Sequence, residues 1–175
     1  MVRGSYDLGV GTESDIEKRS LSFIKDHPTI FGIGENENPV IDIEAEQSPS
    51  GAQILRVSKE YNGLPIWGRD LVVVVEDNAV VEVSGRFKPI NEALDLSHKL
   101  THQEVERIAV DHFESIDFLT PTVGQASEGI TLYQGLPMHS YKVSVTFPNN
   151  MNWNAYISPT SREVIIKLPL SFELI

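Results

Sequence analysis

Residues 141–147 have the sequence Tyr-Lys-Val-Ser-Val-Thr-Phe, and this stretch decides the fold class. Its apolar residues alternate with polar ones, so the extended chain has one apolar and one polar face. The alternation continues in residues 153–157 and 164–168, and turn-forming residues fill the gaps between the three stretches. This pattern predicts an antiparallel meander. Because a predicted amphipathic helix precedes the meander, the sequence indicates an α+β fold.

The two predicted helices begin with the same signature. Thr101-His102-Gln103-Glu104 and Ser14-Asp15-Ile16-Glu17 both have the form of a capping box, in which a hydroxyl and a glutamate satisfy free amides. Pro28 ends the first helix, and His27 can there contact the last carbonyl groups. Since strands are predicted after each helix, we expect two helix-plus-antiparallel-sheet units.

The first half is predicted to contain four strands, at residues 41–46, 54–61, 70–76 and 80–87. Its segment Tyr61-Asn62-Gly63-Leu64-Pro65-Ile66 recurs as Tyr133-Gln134-Gly135-Leu136-Pro137-Met138, and apolar residues continue to alternate in phase after both copies. This internal repeat indicates two related units.

The composition excludes several classes of partner. The 175 residues include 14 Lys and Arg against 25 Asp and Glu, which gives a net charge of −11. Such a surface repels nucleic acid and anionic lipid, so we expect neither nucleic acid nor a membrane as a partner. The longest strongly apolar run, residues 71–75, is far too short to span a bilayer. The absence of cysteine excludes thiol chemistry.

We expect no catalytic, cofactor-binding or metal-binding residue in this chain. His98 and His102 have the spacing of a zincin helix, but Lys99 takes the place of the catalytic glutamate and the helix begins only at Thr101. The acidic segment of residues 35–46 leaves open a weak calcium site or a solvated strand face, of which we favour the second. The sequence therefore favours a binding or folding role.

Residues 53–68, Gln-Ile-Leu-Arg-Val-Ser-Lys-Glu-Tyr-Asn-Gly-Leu-Pro-Ile-Trp-Gly, together with residues 81–85 resemble the fungalysin/thermolysin propeptide (FTP) motif. The residues that carry the resemblance are Tyr61, Gly63, Pro65, Gly68 and Gly85. The second half is similar to the cystatin-like PepSY domain that follows this motif in precursors of secreted thermolysin-like metalloproteases. Residues 77–79 and 160–162 lack the turn glycine of such propeptides, but Asn78 can adopt a positive φ.

The resemblance implies that the chain is a non-catalytic propeptide, which acts as intramolecular chaperone and inhibitor of a protease domain in a zymogen. The implied partner is the cognate thermolysin-like catalytic domain. The chain itself is expected to have no cofactor, and zinc is expected only in that partner. The implied location is secreted, periplasmic or extracellular, although residues 1–5 contain no signal peptide.

The resemblance also implies a division into five segments. They are a flexible N-terminal tail (1–13), an FTP-like subdomain (14–88), a linker (89–99), a PepSY-like subdomain (100–168) and a C-terminal tail (169–175) directed toward the protease cleft. The implied protease contacts are Leu168, Pro169, Leu170, Ser171 and Phe172. An ordinary last strand followed by a tail without contacts is the alternative for this segment.

A second hypothesis stays open, in which the chain is a free-standing cell-envelope binding module with the same two folds and no protease partner. A downstream His-Glu-x-x-His domain in the same reading frame would favour the propeptide, and a stop codon would favour the module. In either case we expect Trp67 and Trp153 to be core anchors.

Overall fold

The computed structural model describes residues 1–7, 13–47, 51–117, 120–148 and 151–170. The chain is a strand-rich mixture of α-helix and antiparallel β-sheet. It divides into two compact units, residues 1–92 and 93–175. The division falls within the segment 89–99 that was predicted to be a linker.

The first unit combines a helix with antiparallel strands. Its elements are β1 (Val2–Asp7), α1 (Glu13–Asp26), α2 (Pro28–Phe31), β2 (Glu37–Gln47), β3 (Gln53–Tyr61), β4 (Leu64–Glu76) and β5 (Ala79–Ser84). Within this unit the strand order is β1-β5-β4-β3-β2, and every pairing is antiparallel. Ile16 and Ile24 of α1 join the buried cluster that the inward side chains of β3, β4 and β5 form. The amphipathic helix thus closes the core of this unit.

The last predicted strand of the first half is shorter than expected. The alternation suggested residues 80–87, whereas β5 ends at Ser84. Gly85 has a φ of 97°, which turns the chain out of the strand. Phe87 then donates its backbone N–H to the Phe31 carbonyl at 3.0 Å, and the residue is only 2% exposed. The apolar residue that suggested a longer strand is therefore buried by a loop contact.

The second unit confirms the alternation at residues 141–147. Its elements are α3 (His102–Asp117), β6 (Thr122–Val123), β7 (Ser127–Tyr133), β8 (Leu136–Thr146), β9 (Asn152–Ser158) and β10 (Glu163–Pro169). The strand order is β7-β8-β9-β10, with β6 also paired to β8. Val105, Ala109 and Phe113 of α3 pack in one cluster with the apolar face of β8 and with Ala155 and Ile157 of β9.

The capping box predicted at the start of α3 is confirmed. The Glu104 backbone N–H donates to the Thr101 hydroxyl at 3.3 Å, and the Thr101 backbone N–H donates to the Glu104 carboxylate at 2.8 Å. Arg162 also donates to Glu104, at 2.6 Å. The hydrogen bond from Arg162 and those from Thr101 lower the pKa of Glu104 to about 2, so this carboxylate is ionised throughout the neutral range.

The repeated Tyr-x-Gly-Leu-Pro segment is a hairpin turn in both units. Asn62 and Gly63 have φ values of 50° and 80°, and Gln134 and Gly135 have the same pair of values. Two consecutive positive φ angles are the mark of a type I′ turn, which matches the twist of the flanking strands. Asp77 and Asn78, with φ values of 48° and 60°, make the same kind of turn without glycine, so the prediction for Asn78 is confirmed.

Candidate functional site

The five residues that carry the motif lie together on the β3–β4 hairpin and at the end of β5. Tyr61 is the last residue of β3 and is buried, Gly63 is in the turn, and Pro65 and Gly68 lie in β4. Gly85 follows β5 directly. The fold thus places the residues that carry the resemblance in the β3–β4–β5 part of the first unit.

Gly68 and Gly85 shape the backbone at the bulge of β4, where the chain that follows β5 passes close to Asp70. The β3–β4 register shifts between the pairs Val57–Leu71 and Lys59–Ile66, so residues 67–70 form a bulge. Gly68 lies in this bulge with a φ of 98°. A Cβ on Gly85 would lie 2.7 Å from the backbone oxygen of Asp70, which is closer than side chains approach. The two glycines thus allow β4 to bulge and the chain after β5 to pass against it.

We expect Gly85→Ala to destabilise the protein more than Gly63→Ala. Both residues have a positive φ, and this alone costs an alanine about 1–2 kcal/mol. No atom lies within 4 Å of a Cβ on Gly63, whereas at Gly85 the overlap is with a backbone carbonyl that cannot rotate away. Urea unfolding of both variants measures the difference. Equal losses of unfolding free energy would contradict the close approach between Gly85 and Asp70.

A buried ion pair lies beside the motif. The Lys59 ammonium donates to the Glu37 carboxylate at 2.5 Å, and the two side chains are 3% and 0% exposed. Lys59 also donates to the Lys88 carbonyl at 2.7 Å and lies 5.3 Å from the centre of the Phe87 ring. The pair therefore connects β2, β3 and the segment after β5.

The Glu37 carboxylate also accepts hydrogen bonds from two backbone N–H groups. The backbone N–H groups of Gly34 and Ile90 donate to its carboxylate at 2.6 Å and 3.1 Å. The interpretation of residues 35–46 as a solvated acidic face is therefore wrong for Glu37, although Glu35 and Asp42 are exposed. The side chains of Glu44 and Glu46 lie outside the described residues. The prediction failed at Glu37 because this member of the acidic segment is the buried ion-pair partner of Lys59.

The histidines do not form a metal site in the described part of the chain, where no group of three or more acidic or histidine side chains is placed to bind a metal ion. His98 contacts Asp95 at 3.5 Å, and His102 accepts the Ala126 backbone N–H at 3.4 Å. Because α3 begins at His102, the two imidazoles do not share a helix face, as the sequence predicted.

His139 has a partner that the sequence did not reveal. Its side chain is 4% exposed, and its Nε2 donates to Glu128 at 2.8 Å. Lys99 donates to the same carboxylate oxygen. Partial burial opposes ionisation of Glu128, but the hydrogen bonds from Lys99 and His139 outweigh it, so the pKa of Glu128 lies below its usual value. This cluster ties the segment before α3 to β7 and β8.

The predicted protease contacts lie at the end of β10. Leu168 is 41% exposed, and Pro169, predicted to begin the tail, is the last residue of β10 and pairs with Trp153. Leu170 is half-buried, and Ser171 and Phe172 lie outside the described residues. Among the described residues β10 pairs only with β9, so its other edge is open to a further strand.

Neither tryptophan is a fully buried core anchor. Trp67 is half-buried in the bulge of β4. Trp153 is half-buried as well and packs at the margin of the second core, with its ring centre 6.5 Å from that of Phe113. Core residues in both units are instead mainly aliphatic side chains and phenylalanines, together with Tyr141 in the second unit.

Comparison with known protein families locates one motif. Residues 43–87 match the Fungalysin/Thermolysin Propeptide Motif. A search of curated proteins gave no match. Among solved structures, the C-terminal domain of YpeB from Bacillus megaterium is similar with 13% sequence identity and a TM-score of 0.42, over 92% of this chain and 66% of that one. The chain thus spans just under two thirds of that structure.

The FTP motif coincides with the residues whose geometry is described above. It extends from Ile43 in β2 to Phe87 and includes the β3–β4 hairpin, the bulge, Gly85 and Lys59. Glu37, the partner of Lys59, lies before the matched residues. In the part of the chain that the structure describes, no helix is long and apolar enough to cross a membrane.

Proposed function

We propose that this chain is the propeptide of a secreted thermolysin-like zinc metalloprotease, and that it assists folding of the protease domain and inhibits it. The observation that carries the proposal is the match of residues 43–87 to the FTP motif. The structure supports it because three of the motif residues, Gly63, Gly68 and Gly85, shape the backbone of one antiparallel meander, β3–β4–β5. The chain then has a binding role, and the zinc belongs to its partner.

Mass action gives this propeptide its effect on folding. A partner that binds the folded protease and not the unfolded chain stabilises the folded state, by about 2.7 kcal/mol when its concentration is a hundred times its Kd. The propeptide is suited to this role, because each of its two units has a buried apolar core of its own. Release of the propeptide then removes the inhibitor.

The proposed inhibitory contact is the segment from Leu168 to Phe172. Leu168 is an exposed apolar residue on β10, whose outer edge pairs with no other described strand. An extended segment that continues from an open strand is suited to β-augmentation in a protease cleft. In this proposal the second unit has the PepSY role, the two helix-plus-sheet units correspond to the two subdomains, and the chain acts outside the cytoplasm.

The test is titration of this chain against the mature metalloprotease encoded at the same locus, with cleavage of a peptide substrate as the readout. We expect stoichiometric inhibition and faster recovery of activity when denatured protease is refolded with the chain added. Two variants locate the contact: Leu168→Asp, and a truncation after Pro169 that leaves β10 complete. Both are expected to weaken inhibition while circular dichroism stays unchanged.

A matched control is Leu136→Asp, which alters another exposed leucine far from β10 in the sequence. It is expected to inhibit as the parent chain does. Absence of both inhibition and binding by the parent chain would overturn the propeptide proposal and favour the free-standing envelope module. Full inhibition by the truncated chain would leave the propeptide role in place and move the contact to another surface.

A further inference from the structure

A cavity of about 380 Å³ lies in the second unit between α3 and the start of β10. Its size falls within the range of small-molecule sites, which is about 300–1,000 Å³. The residues that line it are Ile108, Asp111, His112, Arg162, Glu163 and Val164. None of the residues assigned to the protease contact is among them, so this is a separate feature of the unit.

The charged groups at the cavity are not balanced. Asp111 and Glu163 are exposed acids, and neither has an ion-pair or hydrogen-bond partner among the residues that the structure describes. Arg162 is the basic residue of the lining, but its guanidinium is already engaged by Glu104 at 2.6 Å. The two remaining carboxylates therefore give the cavity a net negative charge.

The other neighbours do not cancel that charge. Burial of the His112 ring, followed by the nearby Lys167, holds the pKa of His112 below its usual value, so this imidazole is neutral at pH 7. Lys167 is outside the lining, and its ammonium lies 5.8 Å and 5.7 Å from the centres of the Phe113 and Trp153 rings. Its ammonium contacts the aromatic pair, and its charge, which acts on His112, offsets one of the two free carboxylates, so the cavity stays net negative.

The apolar part of the lining defines the shape of a ligand. Ile108 and Val164 are half-buried and belong to the margin of the second core. An aliphatic stem can cover these two side chains, while a cation at its end reaches Asp111 or Glu163. Long basic side chains combine such a stem with a terminal charge.

We propose that this cavity binds a lysine or arginine side chain presented by a partner protein. The overall charge of −11 attracts basic partners to the chain and raises their association rate. The net charge attracts basic partners without fixing where they bind, whereas the cavity binds one basic side chain at a defined site. This proposal holds whether the partner is a protease domain or another protein, so it can fail or succeed independently of the propeptide role.

The test uses three small probes and ¹H–¹⁵N NMR spectra of the full chain. N-acetyl-lysine methylamide carries the stem and the cation, N-acetyl-norleucine methylamide carries the stem without the cation, and 1,5-diaminopentane is a free amine without a peptide backbone. We expect the lysine probe to shift the amide signals of the lining residues and the norleucine probe to leave them in place. Raising the ionic strength from about 0.01 M to about 1 M, which shortens the screening length from about 30 Å to about 3 Å, should remove most of the shifts.

Two variants and one control make the result specific. Asp111→Asn and Glu163→Gln are each expected to weaken binding of the lysine probe about threefold, as for other exposed ion pairs. Glu106→Gln changes an exposed acid of α3 outside the lining and should not affect binding. All three positions are exposed, so the fold should persist, which circular dichroism verifies.

Three outcomes would overturn the proposal. One is the absence of any shift with the lysine probe, and another is equal shifts with the lysine and norleucine probes. The third is equal binding by the parent chain and by both acid-to-amide variants. If diaminopentane binds and the lysine probe does not, the cavity takes a free amine, and the assignment to a protein side chain is wrong.

Discussion

Lys59→Met is expected to lower the free energy of unfolding by about 3–5 kcal/mol, because it leaves the carboxylate of Glu37 buried without its cation. The Lys59 ammonium lies 2.5 Å from that carboxylate, and the Glu37 side chain is 0% exposed. Methionine has nearly the same length and shape as the lysine stem, so packing changes little. The decrease in the free energy of unfolding therefore measures the cost of burying the Glu37 carboxylate without its cation.

Urea unfolding followed by Trp67 fluorescence, in a Trp153→Phe background, measures this loss in the first unit. The double variant Lys59→Met/Glu37→Gln removes both charges and keeps an oxygen that can accept the backbone N–H groups of Gly34 and Ile90. We expect it to recover much of the lost stability. Lys18→Met, an exposed lysine of α1, is the control and should change stability by less than about 0.5 kcal/mol. A loss from Lys59→Met no larger than this control would contradict the ion-pair explanation.

Local patterns in the sequence predicted both long helices, the turns and most of the strands, but they missed β1 (Val2–Asp7), which lies in the predicted N-terminal tail, and β7 (Ser127–Tyr133). The capping box at Thr101 and the positive φ at Asn78 depend on residues a few positions apart, so short segments contain the necessary information. Alternation also predicted the buried face of residues 141–147. Errors occurred at strand ends, as at Phe87, where a distant backbone contact takes the place of the ladder.

The alternation of β3 indicates that Lys59 is buried. Residues 55, 57, 59 and 61 of this strand are all buried, so Lys59 occupies an inward position between apolar residues. A lysine in that position requires a buried partner. The identity of the partner could not be predicted, because Glu37 is brought to it by the pairing of β2 with β3, and pairing depends on the whole sheet.

In this chain, the glycines of the FTP motif determine the backbone conformation of the β3–β4–β5 meander. Gly68 and Gly85 allow the bulge and the close approach of Asp70, and Gly63 allows the hairpin turn. These positions do not present side chains to a partner. In the proposals above, selection of a partner therefore depends on other residues of this chain. On this chain the candidates for that selection are Leu168 on β10 and the acidic cavity beside α3.

Phe113→Ala is expected to destabilise the protein by about 3–5 kcal/mol, because it removes the largest side chain that α3 places in the second core. Phe113 is 1% exposed, and its ring centre is 5.7 Å from that of Phe147 and 6.5 Å from that of Trp153. The space cannot collapse easily, since α3 is fixed at its start by the Thr101 capping box and by the contact of Glu104 with Arg162.

The measurement is urea unfolding of Phe113→Ala and Phe113→Leu, followed by circular dichroism and by Trp153 fluorescence in a Trp67→Phe background. Leucine refills most of the volume without the aromatic ring, so its cost should be clearly lower than that of alanine if the cavity dominates. Equal costs for the two variants would mean that the ring contacts with Phe147 and Trp153, and the Lys167 ammonium above the Phe113 ring, account for the stability instead. A loss below about 1 kcal/mol for alanine would contradict the position of α3 over the sheet, because a helix that did not cover β8 would have no cavity to leave.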